Sequence, residues 1–333
     1  RSRAGSMWTD RRIRLMLANP MKPFLAIAAF VALCLPSFAH ADTFEIKEIE
    51  GGLEVLKDGK LLTRYLTKSG AKPVLWPLIG PHGNEITRAY PMREAGEHER
   101  DDHIHHRSFW FTHGNVNGVD FWAETEGHGN IIHKGFKKAK GGDTAVIETK
   151  NDWVDAKGNK VCEDTRRLTF GKNGDSYWID FDTTVTASEG EVVFGDTKEG
   201  SFGVRVAGSM KVTSQMGGTI VNEQGDKDLQ AWGKASPWVD YVGPVKGKTV
   251  GIAILNHPTS FRYPTYWHVR TYGLFTANPF GLHHFKNSND VDGSHKMAKG
   301  ESMTLRYRVY VHPGNTEAAD IAAQFKAYKA VKK

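Results

Sequence analysis

The sequence is short of cysteine and of long hydrophobic runs. Its two cysteines are Cys34, which lies in a predicted leader, and Cys162. If the leader is removed, Cys162 is the one cysteine left, and a single cysteine excludes an intramolecular disulfide, a cysteine zinc cage and an iron–sulfur cluster. No apolar run reaches the ~20 residues that a membrane-spanning helix needs. The sequence also contains no G-x-S-x-G elbow, and the glycine-rich residues 243–249 are one residue too short for a phosphate loop, so they predict a turn between strands.

Residues 21–41 have the layout of a secretory signal peptide. A short basic start and a run of about a dozen apolar residues precede Ala39-His40-Ala41, which has the small residues of a cleavage site. We therefore expect residues 1–41 to be an upstream extension plus a signal peptide, with cleavage before Asp42. Residues 42–333 are then a single domain of a periplasmic or secreted protein.

Most of the positive charge lies in this leader. The sequence has 44 Lys and Arg against 38 Asp and Glu, a formal net charge of +6. Residues 1–41 hold six of these bases and one of the acids, so residues 42–333 carry 38 bases against 37 acids, a net charge of +1. The basic balance therefore does not support a nucleic-acid partner.

The rest of the sequence predicts β-strands with one helix at the C-terminus. An Asp58-Gly59 turn predicts a hairpin, and Asn315 or Thr316 is expected to cap a helix that carries Ile321, Phe325 and Tyr328 on one face. Many short strands and 35 glycines favour an all-β fold, a large antiparallel β-sandwich with a short C-terminal helix. The alternating or β-branched runs that predict strands are residues 144–153, 166–170, 177–187, 202–210, 250–255 and 303–312.

Residues 97–113 are the densest polar stretch. If residues 103–113 are extended, period two places His103, His105 and Arg107 on one face, and His106 and Trp110 on the other. Imidazoles titrate near neutral pH, which suits acid–base catalysis, and two of them at this spacing could also share a metal. The alternative is a polar loop followed by an aromatic strand.

Three further segments carry candidate site residues. Asp120 and Trp122 are expected on the same side of a strand that follows a turn rich in Asn and Gly, and a carboxylate beside an indole is suited to holding a sugar. Glu199 lies next to a lysine and six residues before Arg205, which predicts either a base tuned by a cation or a surface ion pair. The third segment is an irregular, proline-containing loop followed by an alternating run with His268 and Arg270 on one face, and it continues to Asn278, His283 and His284.

Five strings within these segments resemble the DUF6807 family, whose members are often labelled "PmoA family protein". They are residues 105–111, 113–122, 195–200, 267–273 and 277–281, and the resemblance extends over roughly residues 80–312. It implies an exported β-sandwich protein of carbohydrate-catabolic bacteria, similar in fold to galactose mutarotases and related supersandwich lyases and hydrolases. An integral membrane oxygenase subunit, which the label suggests, does not fit a mean hydropathy of −0.47.

The leading hypothesis is an exported carbohydrate-active enzyme, either a hydrolase, a lyase or an epimerase, that acts on a sugar or a glycosidic bond. Glu199 is the candidate base, and the candidate acids are His105, His106 and His268. The predicted substrate-binding residues are Arg107, Trp110, Asp120, Trp122, Arg205, Arg270 and Asn278.

No cofactor is required by this hypothesis. A divalent metal could be bound by His103 and His105 together with His283 or His284. The main alternative function is a non-catalytic glycan-binding protein of the periplasm, and a structural envelope protein is a third. We expect a carbohydrate or another small molecule as partner, with no nucleic acid and no membrane span.

Overall fold

A computed structural model describes residues 43–333. The predicted leader therefore lies outside the described residues, and the cleavage site before Asp42 stays a prediction. No helix among residues 43–333 is long and apolar enough to cross a membrane.

The described residues form 18 β-strands and two short α-helices. The strands, in chain order, are β1 (Phe44–Ile49), β2 (Gly52–Lys57), β3 (Lys60–Ser69), β4 (Lys72–Leu78), β5 (Phe109–His113), β6 (Asn130–Lys140), β7 (Ala145–Val154), β8 (Lys160–Asn173), β9 (Ser176–Thr186), β10 (Val192–Phe194), β11 (Gly200–Arg205), β12 (Thr219–Asn222), β13 (Trp238–Val245), β14 (Lys248–Asn256), β15 (Tyr266–Val269), β16 (Leu274–Asn278), β17 (His295–Met297) and β18 (Ser302–Pro313). The helices are α1 (Leu282–Lys286) and α2 (Ile321–Lys329).

Two eight-stranded sheets carry the fold, and all of their strand pairs are antiparallel. The first sheet has the order β1-β2-β3-β4-β5-β11-β16-β15, and the second has the order β12-β13-β14-β18-β9-β8-β7-β6. Strands β10 and β17 form a separate two-stranded ribbon. The predicted antiparallel β-sandwich is confirmed, as is the hairpin at Asp58-Gly59, where both residues have the positive φ that a tight hairpin turn uses.

Aromatic side chains from both sheets form the main core. Phe202 of β11 stacks on Tyr307 of β18 with ring centroids 4.8 Å apart, and Phe109 of β5 meets Phe181 of β9 edge-on at 5.7 Å. Because side chains alternate along a strand, Trp110 of β5 belongs to a second, smaller cluster together with Trp122. The loops that carry the candidate site residues pack beside this smaller cluster.

The helices differ in detail from the prediction. Helix α2 begins at Ile321, and its N-cap is Asp320, whose carboxylate accepts a hydrogen bond from the backbone N–H of Ala323, rather than Asn315 or Thr316. Ile321 and Tyr328 are buried, as the helical spacing predicts. Helix α1 was not predicted, because its five residues are too few to show a helical period.

Candidate active site beside the first sheet

One cleft of about 270 Å³ brings together side chains from distant parts of the chain. The loop before β5, the loop after it, the segment leading into β11 and the segment that ends β15 all contribute to it. Its lining residues, which we call the cleft residues, are His103, His105, His106, Asp120, Trp122, Ala123, Lys198, Glu199, His268, Arg270 and Tyr272. Seven of the eleven predicted catalytic and substrate-binding residues are among them.

The histidine-rich segment is a turn and not a strand. Strand β5 begins only at Phe109, and positive φ angles at His103 (49°) and Ser108 (58°) interrupt any extended run before it. The backbone N–H of His106 donates to the carbonyl of His103. The period-two assignment of faces is therefore wrong here, and the turn instead stacks the rings of His103 and His106 with centroids 4.8 Å apart.

His106 is a neutral imidazole held in one tautomer. Arg205 has only donors, so its Nη1, at 3.0 Å, donates to Nδ1 of His106 and leaves the ring proton on Nε2. Burial, followed by the charges of neighbouring His105 and Arg205, lowers the pKa of His106 well below its usual value. Its Nε2 is buried and has no hydrogen-bond partner among the described residues. This ring can therefore donate a hydrogen bond to a ligand without carrying charge.

His268 is held in the opposite tautomer. Its Nδ1 lies 2.8 Å from the carbonyl oxygen of Lys198, which can only accept, so the proton is on Nδ1 and the lone pair is on Nε2. Burial lowers the pKa of His268 to about 4, against the opposing effect of the Glu199 charge. At neutral pH its Nε2 is thus a proton acceptor.

Glu199 is one of the two carboxylates that line the cleft, together with Asp120. Its Oε1 lies 2.7 Å from Nζ of Lys198. Partial burial raises the pKa of this carboxyl, but the hydrogen bond from Lys198 and the nearby His268 outweigh it, so the pKa of Glu199 is lowered overall. The tuning cation predicted for Glu199 is therefore the adjacent Lys198, since Arg205 contacts His106 and Asp102 instead.

A buried ionic network lies behind His105. Nζ of Lys72 lies 2.9 Å from Glu124, and Arg107 donates to both oxygens of the same carboxylate at 2.8 and 2.6 Å. Lys72 is only 1% exposed. Burial, with the added charge of Lys72, lowers the pKa of His105 to about 4, so this imidazole is also neutral near pH 7.

Asp120, Trp122 and Arg270 line the cleft as predicted substrate-binding residues. One oxygen of Asp120 accepts the backbone N–H groups of Trp122 and Ala123 at 2.7 and 3.0 Å, which fixes a turn and not the strand expected there. Arg270 lies over the ring of Tyr272, 5.7 Å from its centroid. Arg270 has no ion pair among residues 43–333, so its guanidinium donors can serve a ligand.

Four predicted substrate-binding residues lie outside the cleft lining. Arg107 donates hydrogen bonds to Glu124. Trp110 is only 2% exposed and lies beneath the ring of His106, so it cannot stack on a sugar. Arg205 supports His106 from behind. The amide of Asn278 donates to the carbonyl of Thr197 at 2.9 Å, which holds the segment before Glu199 in place. These side chains position the cleft residues: Arg107, Arg205 and Asn278 donate hydrogen bonds to protein partners, and Trp110 stacks against the ring of His106.

The predicted metal set is not brought together. Within the described part of the chain, no group of three or more His, Cys, Asp or Glu side chains is arranged to hold a metal ion. His103 and His105 line the cleft, whereas His283 and His284 line a neighbouring cavity. The donors named for a metal are thus divided between two cavities.

Sequence reasoning missed Lys198 and Tyr272 as cleft residues. Lys198 had a signal in its position next to Glu199. Tyr272 had only its place in the 267–273 string, and it enters the cleft through the turn between β15 and β16.

A family model covers most of this chain. Residues 52–326 match DUF6807, described as a family of unknown function. The chain belongs to this family. The DUF6807 description does not include the label "PmoA family protein". Among curated proteins, none matches the sequence.

Several solved structures are similar to this DUF6807 chain at low identity. A galactose mutarotase-like protein from Lactobacillus casei is 9% identical with a TM-score of 0.40, over 81% of this chain and 100% of that one. A putative aldose 1-epimerase from Escherichia coli K12 is 11% identical with a TM-score of 0.32, over 82% and 99%. The α-galactosidase from Lactobacillus brevis is 9% identical with a TM-score of 0.38, over 86% of this chain and 42% of that chain. These similarities assign neither a substrate nor a reaction to the DUF6807 chain.

Proposed function

We propose that this protein is an exported carbohydrate-active enzyme that acts on a sugar or a glycosidic bond by acid–base catalysis. The observation that carries the proposal is the meeting of Glu199, His106 and His268 in one cleft of about 270 Å³. That volume is slightly below the roughly 300–1,000 Å³ that is usual for small-molecule sites, and it suits a single sugar ring. Export follows from the predicted signal peptide.

The protonation states suggest a division of labour. Glu199, with its lowered pKa, is the carboxylate that takes a proton from a sugar hydroxyl or ring carbon. The neutral Nε2–H of His106 would hydrogen-bond a substrate oxygen on which negative charge develops, and it would do so without a change in its own charge. His268, through Nε2, would take and return the second proton, and His105 is a further candidate for this step.

The remaining cleft residues suit a polyhydroxylated ligand. Asp120 can accept hydrogen bonds from hydroxyl groups through the carboxylate oxygen that does not bond to the turn. Arg270 can donate hydrogen bonds to ring or hydroxyl oxygens. Trp122 is 2% exposed, so like Trp110 it cannot stack on a sugar; it forms part of the cleft wall, and its buried Nε1 has no partner among the described residues. A hydrolase, a lyase and an epimerase would all use these groups, and they differ in where the leaving group of the substrate lies.

A non-catalytic glycan-binding protein is the second candidate. It is favoured by the ion pair between Glu199 and Lys198, since a carboxylate neutralised by a lysine at 2.7 Å is a weaker base. The same cleft residues would then hold a sugar without changing it.

Glu199→Gln separates the two candidates. We would incubate the protein with plant and algal oligosaccharides and follow substrate and product by mass spectrometry. The enzyme proposal predicts product formation that falls by about 10²–10⁴-fold in Glu199→Gln, because a positioned proton acceptor contributes on this order. Ligand that is bound but never converted by the unmodified protein would establish the binding function instead.

The matched control is Glu148→Gln. Glu148 is a partly exposed glutamate of β7, on the second sheet, and it pairs with Arg167. This variant should keep full turnover. If Glu199→Gln folds normally and also keeps full turnover, Glu199 is not the base.

A further inference from the structure

A second cavity, of about 350 Å³, lies directly beside the cleft. Lys198 lines both cavities. The second cavity is further lined by Trp232, His283 and His284, and by the polar residues 287–289. The Glu199–Lys198 ion pair therefore stands at the boundary between the two spaces.

Two more contacts join the cavities. The ring of Trp232 lies 6.4 Å from that of His268, edge to face, and the guanidinium of Arg270 lies 5.9 Å from the Trp232 ring. Nε1 of Trp232 is buried and has no hydrogen-bond partner among the described residues. The indole thus forms part of the wall behind His268 and Arg270 and has a donor to spare.

The floor of the second cavity is tied to the segment that carries Glu199. One oxygen of Asp196 accepts the backbone N–H of His283 at 2.9 Å and that of Gly293 at 2.6 Å. A ligand group in the second cavity would consequently be held at a fixed distance from Glu199, because the same short stretch anchors both.

We propose that the second cavity binds the neighbouring sugar ring of a substrate with at least two rings, which rests on the proposed function of the cleft. Amide, hydroxyl and imidazole side chains with one indole are suited to hydroxyl groups and the C–H face of a sugar, and they offer little to an apolar aglycone. The two cavities together provide about 620 Å³, well within the usual range for a ligand of two rings. The substrate class is then an oligosaccharide, with the bond between its rings beside Lys198.

Binding measured by calorimetry tests this without requiring turnover. The probes are glucose, galactose, mannose, xylose, glucuronic acid and galacturonic acid, with α- and β-linked disaccharides built from them, titrated into the Glu199→Gln protein. At least one disaccharide should bind ten-fold or more tightly than either of its component sugars. In a variant that combines His284→Ala and Asn289→Ala, this ratio should fall towards one. His82→Ala, at an exposed histidine outside both cavities, should leave the ratio unchanged.

The outcomes distinguish the two proposals. Disaccharides that bind no more tightly than their component sugars would overturn the second site and leave the function of the cleft standing. An unchanged ratio in the double variant would also overturn the second site. If no probe binds at all, the proposed function fails, and the second site fails with it.

Discussion

The cleft and a larger groove on the second sheet differ in whether their charged side chains have ion-pair partners. The groove encloses about 720 Å³, against 270 Å³ for the cleft. Its carboxylates are nevertheless paired: Asp180 holds Arg308 at 2.6 Å, Asp180 and Asp182 share Lys333, and Glu148 holds Arg167. In the cleft, Glu199 is paired with Lys198, but the carboxylate of Asp120 and the guanidinium of Arg270 have no ion pair among residues 43–333.

We place the proposed site by its unsatisfied polar groups and not by its volume. A buried donor or acceptor without a partner carries a free-energy cost that a ligand can relieve, whereas a paired charge must first be separated from its partner. Among the described residues, Nε2 of His106 and Nε1 of Trp122 are the buried cleft atoms without a partner, and Oδ1 of Asp182 is the one such atom among the groove residues. By this measure we propose the cleft, and not the groove, as the binding surface.

Breaking a pair in the groove should affect stability and not activity. Arg308→Met removes a bidentate bond to Asp180, which is 3% exposed, and leaves Lys333 as its remaining cation. We expect a loss of about 3 kcal/mol in the free energy of unfolding, near the lower end for a broken buried pair. Urea denaturation measures this loss, and kcat/KM per folded molecule should not change. A loss of turnover without a loss of stability would place function in the groove.

The stability contributions of a buried cleft histidine and of a buried histidine elsewhere in the second sheet should depend on pH with opposite sign. Burial lowers the pKa of His268 to about 4, below its unfolded value of about 6.5, so its contribution to stability is present above pH 6.5 and is lost as pH falls towards 4. Burial also acts on His312 of β18, but Asp240, 3.2 Å away, outweighs it and raises the pKa of His312. The contribution of His312 is therefore present below pH 6.5 and is lost as pH rises through its raised pKa.

Denaturation curves from pH 4 to 8 test these signs. In His268→Gln, the free energy of unfolding should fall less steeply as pH decreases from 6.5 to 4. The difference is at most about 3 kcal/mol, which corresponds to the roughly 2.5 units between the unfolded and folded pKa of His268. His312→Gln should change the neutral and alkaline side instead. If both variants change the free energy of unfolding on the same side of pH 6.5, one of the two protonation states is wrong.

A smaller effect on activity is expected from Arg205, which contacts His106 from outside the cleft lining. Arg205→Met removes the donor that fixes the tautomer of His106, so kcat should fall about ten-fold with little change in KM, because one hydrogen bond to a charged group contributes about 1.5–3 kcal/mol. Arg205→Lys, which can still donate, should recover part of the loss. A purely structural role for Arg205 would lower stability in both variants and leave the kcat of the folded protein unchanged.

Seven cleft residues could be predicted from the sequence by residue type and local pattern. Glu199, His268 and Arg270 lie in or beside short strand segments, whereas the other four lie in turns or loops, where the residue type was informative and the backbone conformation was not. The error at residues 103–108 has a physical cause, since positive φ at non-glycine residues leaves no clear sequence signal. The roles of Arg107 and Arg205 depend on partners elsewhere in the chain, Glu124 and His106 respectively, which no local pattern reveals.

The β-sandwich was more accessible to prediction than the site. Alternating runs such as that of β9 reflect burial on one face and need no knowledge of the partner strand. The cap of α2 was misplaced because Asn315, Thr316 and Asp320 are all good capping residues, and only the tertiary packing of Ile321 selects among them.

Nitrogen-detected NMR of the imidazole and indole side chains, free and with a bound oligosaccharide, tests the central claim most directly. At pH 7 we predict neutral rings of opposite tautomer, with the proton on Nε2 of His106 and on Nδ1 of His268. Added ligand should shift both Nε2 signals and leave the indole of Trp178, in the second-sheet groove, unchanged. A charged His106, or a ligand that shifts Trp178 and neither histidine, would contradict the account.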